Sequence, residues 1–100
     1  EQIKMEFDEQ RAAFMEAFIE HYDKKIPTIF KSDRDKRIAY AVMQLFRERE
    51  NIENFNKKAL YIMIREMTNT RTQYITKVVN IIKKEYAETF QKYQEARINI

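Results

Sequence analysis

The stretch NKKALYIMIREMTNTRTQYITKVVNIIKKEY, Asn56 to Tyr86, holds two apolar stripes separated by a short polar break. Leu60, Met63, Ile64 and Met67 recur at the spacing of one face of an α-helix and predict a helix over 56–67, capped by Asn54 or Asn56. Ile75, Val78, Val79, Ile82, Tyr86 and Tyr93 line one side of a second helix, capped by Thr70 or Thr72 and running toward Arg97. Between them lies Thr68-Asn69-Thr70-Arg71. Asn69 can take the left-handed conformation that glycine otherwise supplies at a helix end.

Upstream, Ile38, Ala41, Val42, Leu45 and Phe46 predict a helix over 33–49. Ser32, with Asp35 three residues later, resembles a capping box at its start. Residues 50–54 read as a loop rich in asparagine. At the front of the chain, Ile3, Phe7, Phe14, Phe18 and Tyr22, widened by Met15 and Ile19, predict an amphipathic helix over 2–23. The acids Glu6, Asp8, Glu9, Glu16 and Glu20 lie mostly off that stripe. Pro27 disfavours the helical region for Ile26, so Lys24–Lys31 reads as a connector, with Ile29 and Phe30 plugging it into the core. The expected architecture is all-α and single-domain over residues 1–100. It comprises an N-terminal helix (2–23), a three-helix core ending at residue 86, and a helical extension over 87–100. The last helix would be roughly 39 Å long at the α-helical rise, longer than a core of this size requires.

Composition narrows the function. The 100 residues contain no glycine and one proline, which disfavours tight hairpins and phosphate-cradling loops. With no cysteine there are no disulfides, thiolate zinc clusters or thiol catalysis, and a reducing compartment is a natural fit. No apolar run approaches the ~20 residues of a membrane span, and no signal-peptide pattern opens the chain. The chain opens on Glu1 rather than methionine, which leaves room for residues upstream. The net charge of +3 is unevenly placed: residues 1–25 carry seven acids and four bases, whereas residues 54–84 carry seven bases and one acid, Glu66. Such a basic segment attracts polyanions.

A short helix, a tight turn and a longer helix make the layout of a helix-turn-helix, whose second helix enters the major groove. Opposite the apolar stripe of the last helix stand Gln73, Thr76, Lys77, Asn80, Lys83 and Lys84. Gln and Asn can pair bidentately with adenine, and Lys can reach guanine or phosphate. The expected base readers are Gln73, Thr76, Lys77 and Asn80. Arg71 and Thr72 at the helix start, together with Lys57, Lys58, Lys83 and Lys84, are the expected phosphate contacts.

The segment ITKVVNIIKKEY (Ile75 to Tyr86) resembles the recognition helix of MarR-type winged-helix regulators, and ALYIMIREMTN before it is similar to their preceding helix. The likeness covers about thirty residues. It implies sequence-specific duplex binding as a dimer through terminal helices. The turn here lacks glycine and is one residue longer. The chain continues as predicted helix through residues 85–94 where that family has a β-hairpin wing. A bare three-helix core with helical extensions is therefore the expectation. Over a longer span, from HYDKKIPTIF onward, the chain resembles small basic transcription accessory proteins of T4-like bacteriophages, which implies docking on host RNA polymerase.

Other constellations read as structural. His21 is the single histidine and has no cysteine beside it, so a transition-metal site is not expected. Glu16 and Glu20 share a helix face but read as a solvated acidic surface. Phe7, Phe14, Tyr86, Phe90 and Tyr93 either pack on one another or form a protein interface. No catalytic residues, cofactor or metal are expected. The partner expected is duplex DNA, alternatively RNA polymerase or a phage DNA-packaging complex, in the cytoplasm of a bacterial or phage-infected cell.

Overall fold

The computed structural model describes the backbone of residues 2–98 and the side chains of residues 10–96. Four α-helices follow one another: α1 Gln2–Ile29, α2 Asp33–Arg47, α3 Lys57–Thr68 and α4 Thr72–Ile98, with a 3-10 turn at Arg49–Asn51. The fold is all-α, with no strand among the described residues. Helix α2 is central: it packs against α1, α3 and α4, and α3 and α4 also pack on each other.

Helix α1 does not stop at residue 23 but runs through Pro27 to Ile29. Phe14, Phe18, Tyr22, Ile26 and Phe30 form an unbroken four-residue ladder, and all five are buried. Continuing the helix keeps Ile26 on that buried line. Pro27 lies in the last turn, where it removes one hydrogen bond, to the Asp23 carbonyl, with little helix left to disrupt. The Phe30 N–H still donates to the Ile26 carbonyl at 3.0 Å, and the Thr28 hydroxyl donates to the Lys25 carbonyl at 2.6 Å. Ile29, one step off the ladder, is 36% exposed and does not plug the core.

The other helix ends are set by local polar groups. Ser32 Oγ accepts from the Asp35 N–H at 3.1 Å, capping α2. The Asp35 carboxylate meets Arg34 and Lys77. Helix α2 ends at Arg47, short of residue 49, where the Arg49 guanidinium donates to the Phe46 carbonyl at 2.6 Å. Asn56 caps α3, its Oδ1 accepting from the Ala59 N–H at 2.9 Å. Asn69 ends α3 in the left-handed region (φ 53°, ψ 45°), its N–H donating to the Arg65 carbonyl. Thr68 spends its hydroxyl proton on the Ile64 carbonyl, so the Thr70 hydroxyl donates to Thr68 at 2.7 Å. The Arg71 carbonyl accepts from the Ile75 N–H, which puts Arg71, rather than Thr70 or Thr72, at the cap position of α4.

One core joins all four helices and includes Phe18 and Tyr22, Ile38 and Met43, Ile64, and Ile75 and Val78. Thus α1 completes the core rather than extending it. Helix α3 contributes less than its stripe predicts. Ile64 and Thr68 are buried, Leu60 and Met63 are partly covered, and Met67 is 45% exposed. The buried line runs Leu60–Ile64–Thr68, at four-residue spacing, and leaves Met67 off its edge. Among the described residues, no helix is long and apolar enough to cross a membrane.

Candidate functional site

Helix α4 presents its polar side outward. Gln73, Asn80 and Lys84 are exposed at i, i+7 and i+11, which places them on one line along the helix. Arg71 and Thr72 are exposed at its start, and Thr76 and Lys83 flank the line, Thr76 half-buried and Lys83 exposed. Lys57 and Lys58 open α3 and are exposed; the Lys57 ammonium lies 5.9 Å from the centre of the Tyr61 ring.

Lys77 has a different role from its neighbours. Its ammonium donates to Asp35 Oδ2 at 3.2 Å, linking α4 to the first turn of α2. The Arg34 Nε donates to the other carboxylate oxygen at 3.2 Å, and the Arg34 guanidinium lies 3.7 Å over the Tyr74 ring. Asp35 is only 6% exposed. Burial alone would push its carboxyl up, but the hydrogen bonds and charges of Lys77 and Arg34 outweigh burial and hold it below the usual carboxylate range. The sequence places Asp35 only in a capping box and gives Arg34 and Tyr74 no role, because no local pattern announces a contact between residues 35 and 77.

Of the seven bases in 54–84, Lys77 is the one with an acid at ion-pair distance among the described residues. The described acids of α1 do not pair with these bases. Asp23 pairs with Arg47, and Glu16 Oε1 lies 3.9 Å from Arg49. Lys25 reaches Glu85 at 3.9 Å, on a different side of α4 from Gln73 and Asn80. Lys58, Arg65, Arg71, Lys83 and Lys84 therefore keep a positive field over α3 and the outer face of α4.

The aromatic residues considered for a protein interface pack within the chain. The Phe14 ring meets Tyr86, Phe90 and Tyr93, with centroids 5.3, 5.0 and 5.2 Å apart. Phe14 is 6% exposed, so it presents no free surface to a partner. The Phe7 side chain lies outside the described residues. His21 and Glu20 are exposed on α1. Among the described residues, no group of three or more His, Asp or Glu is placed to hold a metal ion.

The structure also contains a feature that the sequence reading missed, a cavity of about 430 Å³ lined by residues of all four helices. Phe55, assigned to no helix, turns back onto Phe46 with rings 5.2 Å apart and helps to wall it. An apolar side chain inside an asparagine-rich loop was the available signal. No protein-family model, curated protein or solved structure matches the chain.

Proposed function

We propose that this protein binds duplex DNA, with the first half of α4 in the major groove and the start of α3 against the flanking backbone. The observation that carries this reading is the exposed line Gln73–Asn80–Lys84, which follows a tight turn and is bordered by unpaired cations. A helix with amides on its outer line and lysines beside them offers hydrogen bonds to base edges and charge to phosphates. Gln73 and Asn80 are the base readers. Lys57, Lys58, Arg71, Lys83 and Lys84 contact the backbone, with the Thr72 hydroxyl at the helix start. Thr76 reaches the groove only from the flank. Lys77 positions α4 on α2 instead of reading a base. A role in transcription, of the kind the MarR-type and phage accessory resemblances imply, follows from such binding. Docking on RNA polymerase through Phe14, Tyr86, Phe90 and Tyr93 has weaker support, because those rings already pack on one another.

Fluorescence anisotropy with a labelled short duplex at physiological salt tests the proposal. Replacing Lys58 and Lys84 together by Ala removes two phosphate contacts and weakens binding by about tenfold or more, whereas Lys77→Ala changes affinity by about twofold at most. A Lys58→Ala/Lys84→Ala protein that binds as tightly as the parent removes this function.

A further inference from the structure

The four-helix cavity is large for a chain of this length. Close-packed interiors leave few voids bigger than a water molecule, and about 430 Å³ falls in the range of small-molecule sites. Its walls are almost wholly apolar, drawn from α1 (Met15, Phe18), α2 (Met43, Phe46), α3 (Ile64) and α4 (Val79), among others. Among the described residues, its polar lining is confined to Asn56, Lys57 and Lys83, apart from the hydroxyls of Tyr61 and Tyr86, and includes no carboxylate.

Those polar groups have one sign. Lys57 is the first residue of α3, and Lys83 opens the fourth turn of α4. Both are exposed, so they stand where the cavity meets solvent, and neither has an acid at ion-pair distance among the described residues. Asn56 commits its Oδ1 to the Ala59 N–H, which leaves its NH₂ as a further donor at the same place. Two lysines and an asparagine thus stand at the rim of a chamber of aliphatic and aromatic side chains. An apolar molecule alone would gain nothing from the two cations, a cationic one would be repelled, and an anionic head group would gain charge-assisted hydrogen bonds from them. We infer that this cavity binds a monocarboxylate with an apolar chain, its tail among the core side chains and its carboxylate between Lys57 and Lys83.

The site is tested by titrating the full chain with sodium dodecanoate below its micelle concentration, followed by calorimetry and by the ¹³C shift of a labelled carboxylate. Dodecanol and dodecyltrimethylammonium serve as neutral and cationic comparisons. Dodecanoate is expected to bind one per chain, and the alcohol about tenfold or more weaker, since charge-assisted hydrogen bonds contribute at least that factor. Replacing Lys57 and Lys83 by Glu, two exposed positions, is expected to abolish carboxylate binding with the helical circular dichroism unchanged. Val79→Trp, which fills the chamber from α4, is expected to exclude all three probes. No dodecanoate binding, equal binding of the alcohol, or unchanged binding by the Lys57→Glu/Lys83→Glu variant would each overturn the site. Lys57 and Lys83 also serve the DNA-binding reading, but the titration contains no nucleic acid, so its failure and the failure of that reading are distinguishable.

Discussion

At the residue scale, Lys77 and Lys84 show how similar positions acquire different roles. Both are lysines on the polar side of α4, seven residues apart, and by periodicity alone they are equivalent. Asp35, forty-two positions upstream of Lys77, separates them by holding one ammonium and leaving the other in water. The Asp35 carboxyl is held below its ordinary value in the folded chain, so it binds its proton less readily there than when unfolded. A depressed folded value means that its stabilisation is fully present above the unfolded carboxylate pKa of about 3.9 and is lost as pH falls through the folded value. Asp35→Asn should therefore lower stability by about 1–2 kcal/mol at neutral pH, a charge-assisted contribution discounted because Lys77 is largely exposed. It should also flatten the fall in stability below about pH 4. Urea denaturation across that acid range checks both effects, and parallel pH profiles for parent and variant would exclude this role. Asn69 makes the opposite case, because its left-handed backbone was legible. It is a small polar residue at the end of an apolar stripe in a chain without glycine.

At the element scale, the sequence was most informative where a stripe was long and least where two rules conflicted. The starts of α2 and α3 fall after the caps Ser32 and Asn56, at Asp33 and Lys57, while α4 starts at the expected Thr72 with Arg71 in place of a threonine at its cap. The end of α1 is where two rules conflict: Pro27 disfavours helix at its neighbour, whereas the apolar ladder continues through Ile26 and Phe30. Burying those two side chains outweighs one lost hydrogen bond in a final turn. The same ladder begins, among the described side chains, at Phe14, which anchors the second half of α4 through three ring contacts. Helices α1 and α4 thus meet largely through long aromatic side chains, and Phe14→Ala should cost about 3 kcal/mol. Hydrogen exchange locates the loss. Amides beyond Tyr86 should exchange much faster in the variant, while those around Val78 and Ile82, packed in the shared core, keep their relative protection. Uniform loss of protection along α4 would show that Phe14 supports the whole core rather than this one contact.

At the scale of the whole molecule, the charge imbalance has a direction. Glu16 and Asp23 of α1 meet bases of α2 and the turn after it, while among the described residues the bases of α3 and α4 remain mostly unanswered. The imbalance was legible from composition. Periodicity also put the lysines of α4 opposite its apolar stripe, but it could not show which of them would meet an acid, since that depends on how α2 receives its three neighbours. The resulting surface makes a quantitative claim about DNA binding. If Lys57, Lys58, Arg71, Lys83 and Lys84 each neutralise one phosphate, five counterions are displaced and the logarithm of affinity should fall against the logarithm of salt with a slope of about −4.5. Lys58→Ala with Lys84→Ala should reduce that slope by about 2, because each lost contact releases one counterion fewer. Lys77→Ala should leave the slope unchanged, since its charge is answered by Asp35 whether or not DNA is present. Anisotropy titrations at several salt concentrations measure all three slopes on one duplex. A parent slope near zero would mean that the positive side of the molecule does not meet a phosphate backbone. A drop on Lys77→Ala equal to that of another single lysine would mean that Lys77 leaves Asp35 to contact the DNA.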